Sequence, residues 1–449
     1  MDEHGLQPSA DSKNHCCTAH VVRFLRVGPA GSGQAWQRPQ AQILEGIHTV
    51  RKPRGHHVRA AGKVDGMTRE TRRHPLRDRL GRRPDNPAYR EVHDEGGLRR
   101  LTASGTPLAG WRLQGLDLEP HATYLSRADV RGLVVLGGRV PDELARDLVA
   151  RGAVIIPPDP TCPVEPFRAR LYSPFDLYGG LETAGYPSTV DARAYAWSRE
   201  ARTQHDAWAT LLRAVHDDAV QDALVEALHG LDVVGVMGGH ALERGSSDYA
   251  DAARLGHALA DAGRVVLTGG GPGAMEAANL GALAPTADAV ETALGRLSAV
   301  PSFRPSVEAW AELALQVRDE LGAGDGPARS YGIPTWFYGH EPPNVFCDGI
   351  AKYFSNALRE DVLLAQSAGG LVVLPGAAGT VQEIFQACTP LYYAPEGEPL
   401  PPLVLVGLEH WTETVPVWPA LRALGAGRPL GEVLHLVETP EEAAALLLG

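Results

Sequence analysis

The chain of 449 residues carries a net charge of −12 at pH 7 and has an isoelectric point near 5.8. This balance argues against a general nucleic-acid surface, because duplex binding needs clustered Lys and Arg. Its five cysteines have neither metal-site spacing nor an even disulfide framework, which predicts a reducing cytoplasm and no metal site. No uncharged run reaches about 18 residues and the start lacks an apolar signal region, so neither a membrane span nor a usual secretion signal is expected. The length predicts two domains.

The first segment, residues 1–95, is predicted to be a disordered or poorly ordered extension. Residues 1–66 are rich in Gly, Pro, His, Gln and Arg and show no sustained helical or strand period. Met67 is a plausible alternative start, so these residues are either a flexible tail or an extension of the gene model. The basic cluster from Arg69 to Arg83 is better explained as a solvated tail than as a nucleic-acid contact.

The second segment, residues 96–229, is predicted to be a smaller α/β domain. Residues 131–160 have the pattern of a strand, a glycine turn, a helix and a second strand. Gly137 and Gly138 in that turn are compatible with a second nucleotide, but no partner motif follows and a scaffold role is favoured. Residues 196–230 carry helical spacing and are expected to bridge the domains.

The third segment, residues 230–449, alternates strands with helices and predicts a Rossmann-like, doubly wound parallel sheet. The strands are expected near residues 233, 265, 334, 371, 403 and 433. An insert at residues 283–330 has apolar side chains at helical spacing, which indicates packing, with a lid or a dimer surface as the alternative. Ligands bind such sheets at the carboxyl ends of the strands.

Two glycine-rich turns follow predicted strands. In the first, Gly269–Gly271 and Gly273 surround Pro272, a composition that permits close approach of the backbone to phosphate or ribose. It has neither the GxGxxG spacing of a dinucleotide fold nor the lysine of a P-loop, so NAD and ATP are not indicated. In the second, LVVLPGAAGTVQEIFQ at residues 371–386, the amides of a helix start converge near Gly379, where an anion would bind.

Together these turns resemble the LOG (Lonely Guy) family of nucleoside 5′-monophosphate phosphoribohydrolases, formerly mislabelled as lysine decarboxylases. The family's PGGxGTxxE motif is similar to PGAAGTVQE at residues 375–383, and its glycine-rich first motif to GGGPGAMEAANLGA at residues 269–282. The sequence GGGPGAMEAANLGA is similar to the form of this first motif in the larger bacterial nucleotide nucleosidases. Arg359 matches the arginine that precedes the second motif, and the resemblance covers about residues 230–449.

The resemblance implies hydrolysis of the N-glycosidic bond of a nucleoside 5′-monophosphate, giving a free base and ribose 5-phosphate without cofactor or metal. Glu383 would stabilise the oxocarbenium-like transition state or activate water, and Arg359 would hold phosphate or stabilise the departing base. The alternatives are helix stabilisation for Glu383 and a salt bridge to Glu360 or Asp361 for Arg359. The further substrate-binding candidates are Gly238, Gly239, Gly270, Gly271, Gly273, Glu276, Asn279, Gly376, Gly379 and Thr380. A homodimer or higher homo-oligomer is also expected.

Several points stay open from the sequence. Tyr338, His340 and Asn344 are possible contacts to the base or ribose, with a structural histidine favoured for His340. The competing function is a non-catalytic nucleotide sensor or carrier, in which Glu383 would be replaceable. A pyridoxal-dependent decarboxylase ranks last, because Lys352 is the only lysine after Lys63 and has no cofactor signature around it. The preferred base and any effector of residues 96–229 are not predicted.

Overall fold

The computed structural model describes residues 90–449 except 324–325 and 338–340. The predictions for the extension up to residue 89, its basic cluster, and Tyr338 and His340 therefore lie outside the described residues. None of the helices in the described part combines the length and apolar character that crossing a bilayer requires.

A small parallel sheet comes first in the chain. Its four strands lie side by side in chain order and are β1 (Glu91–Val92), β2 (Arg112–Gln114), β3 (Val134–Leu136) and β4 (Val154–Ile156). The helices of this region are α1 (Glu95–Ser104), α2 (Ala122–Leu125) and α3 (Asp142–Ala150). The predicted strand, turn, helix and strand of residues 131–160 is present as β3, α3 and β4.

The glycines of that unit are explained by packing. Gly137 and Gly138 both have a left-handed backbone, with φ of 62° and 72°. A side-chain carbon on Gly137 would collide with the ring of Phe167, and one on Gly138 with the backbone of Leu116. Because the chain itself fills the space at both positions, a scaffold role is sufficient to explain them.

Five helices connect the small sheet to a larger one. They are α4 (Pro174–Tyr178), α5 (Leu181–Ala184), α6 (Val190–Arg199), α7 (Ala201–Gln204) and α8 (Ala207–Ala227). Leu177, Trp197 and Val220 from these helices belong to the same hydrophobic core as the larger sheet. The domain division at residue 230 stays a prediction, and the helices before it pack as part of the larger core.

The larger sheet has the predicted doubly wound architecture. Its strands are β5 (Val233–Met237), β6 (Val265–Thr268), β7 (Ser330–Gly332), β8 (Gly349–Ile350), β9 (Gly370–Val373), β10 (Leu403–Val406) and β11 (Leu434–Val437). They pair in parallel in the order β11-β10-β9-β5-β6-β7-β8. All but the two-residue β8 lie close to predicted positions. Strand β7 ends before Pro334, which has no amide hydrogen to continue the pairing.

The remaining helices alternate with these strands. They are α9 (Ser247–Asp261), α10 (Ala274–Leu283), α11 (Ala287–Leu297), α12 (Val307–Glu320), α13 (Asn356–Gln366), α14 (Ala378–Tyr392), α15 (Trp418–Gly425), α16 (Pro429–Val433) and α17 (Pro440–Leu448). The insert forms α11 and α12, and Trp310, Ala314 and Val317 on α12 are buried, as the helical spacing predicts. Close approach of α9 to α10 depends on Gly256 and Gly281, where a Cβ would strike the opposing backbone.

The order of the strands locates a crevice. From β5 the chain proceeds outward through β6, β7 and β8, and then crosses back to place β9 on the other side of β5. Such a reversal separates the connections that leave β5 and β9, so a crevice opens at the carboxyl ends of these two strands. The turns that follow β5, β6 and β9 all lie at this edge.

Candidate functional site

Three turns meet at the crevice. The amide of Gly239, after β5, donates to the carbonyl of Pro375, after β9, at 3.0 Å. The amide of Ala274 at the start of α10 donates to the carbonyl of Gly239 at 3.1 Å. Gly238 lies between Ala274 and Leu374, where a Cβ would be 2.7 Å and 3.0 Å from their side chains. These contacts bring the predicted residues Gly238 and Gly239 next to both glycine-rich turns.

The turn after β6, Gly269–Gly273, is here called the first glycine turn. Gly270 and Gly273 have left-handed φ values of 69° and 73°. A Cβ on Gly273 would lie 2.9 Å from the carbonyl oxygen of His240 and closer still to that of Gly239. Glycine is therefore required at Gly273 by both conformation and space.

A buried network of polar side chains holds the first glycine turn in its conformation. Asn344 donates from its backbone to Gly270 at 2.9 Å and from its side chain to Gly271 at 3.1 Å. Its side chain also donates to Oδ1 of Asn279 at 3.0 Å, and Asn279 accepts from Thr268 at 2.6 Å and donates to Ser330 at 2.8 Å. All four side chains are buried. Asn279 and Asn344, both substrate-contact candidates in the sequence, are engaged here in fixing the shape of the turn.

Glu276 is also engaged within the protein. Its carboxylate accepts from Nε of Arg244 at 3.1 Å and from Nη2 at 2.5 Å. The guanidinium lies 4.6 Å from the ring centre of Trp310 in α12, and both charged side chains are almost fully buried. The pair therefore holds the insert against the first glycine turn, and Glu276 borders the crevice as part of that framework.

The second glycine turn, Gly376–Gly379, leads into α14. Ala377 occupies the N-cap of this helix and has no side-chain oxygen to cap its amides. A Cβ on Gly376 would collide with Thr380, whereas one on Gly379 would have no heavy atom of the described residues within 4 Å. The helix start thus combines uncapped amides with open space, the arrangement that binds phosphate in other proteins.

Arg359 and Glu383 form an ion pair next to both turns. Nη1 of Arg359 donates to Oε1 of Glu383 at 2.6 Å, and Nε donates to the carbonyl of Ile333 at 2.9 Å. The arginine borders the first glycine turn, because a Cβ on Gly269 would run into its guanidinium. The alternative pairing with Glu360 or Asp361 is wrong: Glu360 accepts from Asn356 and Gln382, and Asp361 from Gln386.

The environment of Glu383 changes its acidity. Burial raises the pKa of the Glu383 carboxyl above its usual range, and Arg359 partly offsets that effect. The negative charges of Glu360 and Glu341 raise the pKa of Glu383 further. A carboxylate that holds its proton more tightly than usual is suited to general-base catalysis.

His240 and Glu341 are a second ionisable pair at the crevice, and the sequence prediction missed it. Nδ1 of His240 lies 3.4 Å from Oε1 of Glu341, and the two side chains are 53% and 38% exposed. A Cβ on Gly271 would lie 3.7 Å from Oε2 of Glu341. The position of His240 directly after Gly238 and Gly239 was the available signal, since residues at that edge face the ligand site.

Lys352 lies outside this chemistry. It is almost fully buried, and Nζ is 2.6 Å from Oδ1 of Asp191. Burial lowers the pKa of the Lys352 ammonium, while Asp191 opposes that effect. The same carboxylate accepts from Nε1 of Trp336 at 2.8 Å. A lysine sealed in this ion pair is not accessible to a carbonyl cofactor, which argues against the pyridoxal alternative.

The helix that carries Arg359 is positioned by residues far away in the chain. Asp217 in α8 accepts from the amides of Phe354 and Ser355 at 2.9 Å and 2.8 Å, just before α13 begins. Nδ1 of His216 lies 3.0 Å from Oδ1 of Asp217, and its Nε2 lies 2.8 Å from the hydroxyl oxygen of Tyr172. This buried chain of hydrogen bonds fixes the start of α13 and therefore the origin of the Arg359 side chain.

Comparison with known proteins gives a match to part of one family model and a set of similar solved structures. Residues 232–291 match the model of the SLOG cluster4 family. This segment includes β5, β6, α9 and α10 together with the first glycine turn. A search of curated proteins found no match.

The similar solved structures include two cofactor-binding proteins. The molybdenum cofactor carrier protein of Chlamydomonas reinhardtii is 19% identical, covers 48% of this chain and 96% of its own, and has a TM-score of 0.30. The molybdenum cofactor binding protein of the phototrophic bacterium Rippkaea orientalis is 17% identical, covers 49% of this chain and 96% of its own, and has a TM-score of 0.28.

Proposed function

We propose that this protein binds a nucleoside 5′-monophosphate in the crevice and hydrolyses its N-glycosidic bond to a free base and ribose 5-phosphate. The observation that carries this proposal is the buried pair of Arg359 and Glu383, held between two glycine turns at the carboxyl ends of β6 and β9. The match of residues 232–291 to the SLOG cluster4 family supports nucleotide-type binding at this edge.

The phosphate would bind at the start of α14. The amides near Gly379 and Thr380 provide donors, the helix dipole favours an anion, and the space beside Gly379 admits it. The first glycine turn would line the ribose, since Gly270 and Gly271 present backbone there and Asn344 holds both carbonyls. Gly238, Gly239 and Gly273 would set the spacing between the turns.

Glu383 would act on the anomeric carbon. Cleavage of the bond between C1′ and the base nitrogen develops positive charge on the ribose ring, and a nearby carboxylate stabilises that charge or takes the proton of the attacking water. An arginine side chain offers N–H donors and no acceptor, so Arg359 is not the base. Its role is to hold Glu383 in place and to share its remaining donors with the phosphate or the departing base.

A non-catalytic carrier or sensor is the second candidate. The specific observation in its favour is the contact of 2.6 Å between Arg359 and Glu383, because a carboxylate engaged in an ion pair is less available as a base. In that function the glycine turns would still bind the nucleotide. Glu383 would then be replaceable without loss of binding.

Product analysis separates the two functions. The full chain and Glu383→Gln are incubated with a panel of nucleoside 5′-monophosphates, and free base and ribose 5-phosphate are quantified by chromatography. Glu226→Gln, on the exposed surface of α8, is the matched control. Release by the parent and the control but not by Glu383→Gln supports hydrolysis, with an expected loss of at least about 100-fold. Binding without release from any nucleotide supports the carrier.

We further propose that the protein works in the cytoplasm as a homodimer or higher homo-oligomer. Symmetric dimers are the commonest assemblies of soluble proteins, and LOG-like proteins are expected to form them. Light scattering of the purified chain would test the assembly: a monomer across the working concentration range would contradict it.

A further inference from the structure

A pocket of about 220 Å³ lies beside the first glycine turn. Its lining comes from three parts of the chain and includes His240, Glu243, Glu276, Phe303, Arg304 and Trp310. Its volume is below the roughly 300–1,000 Å³ of sites that hold whole drug-sized ligands, so it suits a fragment such as one nucleobase.

Two buried aromatic rings and one exposed guanidinium form one side of this pocket. Phe303 and Trp310 pack edge to face with ring centres 6.3 Å apart, and the guanidinium of Arg304 lies 5.4 Å from the ring centre of Phe303. The buried pair of Arg244 and Glu276 fixes Trp310 from behind. Aromatic rings and a guanidinium plane are the groups on which planar bases stack. Phe303 and Trp310 are themselves buried, so the surface that the insert offers to a base is mainly the exposed guanidinium of Arg304, which Phe303 supports.

His240 lies at the junction of this pocket and the crevice. It lines the pocket, and it belongs to the turn after β5 that contacts Pro375 through Gly239. Glu341 lies 3.4 Å from its Nδ1, and Nε2 has no hydrogen-bond partner within the described residues. With Nδ1 beside the Glu341 carboxylate, Nε2 is the ring nitrogen left to meet a ligand.

The two ionisable pairs border the first glycine turn at different glycines. Arg359 borders Gly269, whereas Glu341 borders Gly271. The charge of Glu341 contributes to the environment of Glu383, so the pairs are electrostatically coupled. A ribose lying on this turn would therefore be near both pairs.

We propose that the pocket receives the nucleobase and that His240, oriented by Glu341, protonates the base as it leaves. This inference rests on the proposed hydrolysis. Water adds its oxygen to C1′ and gives a proton to Glu383, while the electron pair of the bond between C1′ and nitrogen passes to the base. The base nitrogen takes the Nε2 proton of the His240 imidazolium. Exchange with solvent then returns a proton to His240 and removes one from Glu383, so the net reaction consumes one water.

The test compares leaving groups. Nucleoside 5′-monophosphates need protonation of the departing nitrogen, whereas p-nitrophenyl ribose 5-phosphate releases a stable phenolate without it. We expect His240→Gln to lower kcat on nucleotides by about 100-fold, a usual size for general-acid catalysis, and to lose much less on the nitrophenyl substrate. Glu341→Gln should show the same selective pattern more weakly, as a positioning residue. Phe303→Ala should raise KM for nucleotides more than for the nitrophenyl substrate.

The outcomes are distinguishable. Equal losses of His240→Gln on both substrates, or no loss on either, would overturn the role of His240 while leaving the proposed hydrolysis intact in the parent. An unchanged KM of Phe303→Ala would remove the base from this pocket. A parent that cleaves neither substrate would overturn the proposed function itself, and with it this inference. Because His240 is half exposed, its replacement should leave the fold unchanged, and circular dichroism of the variants checks this.

Discussion

The two glycine turns both join a strand to a helix but have different surroundings. At Gly273 in the first turn, the left-handed backbone and the carbonyls of Gly239 and His240 exclude any side chain. At Gly379 in the second turn, the described part of the chain leaves open space where a side chain would lie. The first glycine is required by the fold, whereas the second is not explained by any contact within it.

This difference separates two reasons for a glycine motif. A glycine that the chain itself crowds shapes a turn, and a glycine beside open space at a helix start leaves room for a ligand. Asn279 and Glu276 follow the first turn in sequence and belong to its support, through a buried network and a buried ion pair. The ligand-facing elements are then the start of α14, the largely buried pair of Arg359 and Glu383, and the more exposed pair of His240 and Glu341.

The largest effect is expected for Gly273→Ala. An alanine there must keep a left-handed φ, and its methyl group must displace two carbonyls. Together these effects should lower the free energy of unfolding by about 4 kcal/mol. Gly295→Ala in α11 is the control: it has no neighbour within 4 Å in the described structure and should stabilise the helix by about 0.5–1 kcal/mol. Urea unfolding followed by circular dichroism measures both. Equal urea midpoints for the two variants would contradict the requirement for glycine at position 273.

The next effect compares the two ion pairs. Glu276→Gln leaves the sealed guanidinium of Arg244 without its counter-charge and should lower the free energy of unfolding by about 3 kcal/mol. Glu383→Gln should destabilise much less, because the uncharged amide also relieves the burial of a carboxylate. The same urea series measures both variants. If Glu383→Gln lowered the free energy of unfolding more than Glu276→Gln, then Glu383 would belong to the structural framework and Glu276 would be the better candidate for the site.

A smaller effect on stability, with a clear effect on binding, is expected for Gly379→Ala. The open space should keep the change in unfolding free energy within about 0.5 kcal/mol. The added methyl group would occupy the space proposed for phosphate, so nucleotide affinity should fall about tenfold, equivalent to about 1.4 kcal/mol. Isothermal titration with the nucleotide that binds the parent best measures this loss. Unchanged affinity would place the phosphate elsewhere.

The sequence predicted the parts of the fold that are local. Short apolar runs followed by glycine turns identify β5, β6 and β9 and the helices after them, and the rule for parallel sheets brings their ends together. It missed β8, which at two residues leaves no run to recognise. Glu383 was available as a candidate because it lies within the second motif, and Arg359 because it resembles the arginine that precedes that motif in the LOG family.

Long-range partners could not be predicted. Arg359 has acidic neighbours at Glu360 and Asp361, yet it pairs with Glu383, 24 residues away. Asp217 fixes the start of α13 from 138 residues away. His240 meets Glu341 only because the turn after β5 and the segment after β7 lie at one edge of the sheet. These pairings depend on the assembled core, and no periodicity or spacing encodes them.

The smallest predicted effect is the pH dependence that Glu383 gives to stability. Burial raises its pKa in the folded state, so between the unfolded and the folded pKa the folded state binds more protons than the unfolded state. Its contribution to stability is therefore fully present below the unfolded value of about 4.3 and is lost as the pH rises through the folded pKa. Glu383→Gln does not titrate, so its stability relative to the parent should increase with pH.

Urea unfolding of the parent and Glu383→Gln from about pH 4 to about pH 7 measures that difference, with Glu226→Gln as a control that should show little trend. If the stability of Glu383→Gln relative to the parent fell with rising pH, the attraction of Glu383 to Arg359 would outweigh the effect of its burial. Glu383 would then be an ordinary partner in an ion pair. A difference that grows would show a carboxylate held at a cost to the fold. Such a cost is expected at a catalytic base and has no purpose in a framework, so the sign of this slope bears directly on the choice between hydrolase and carrier.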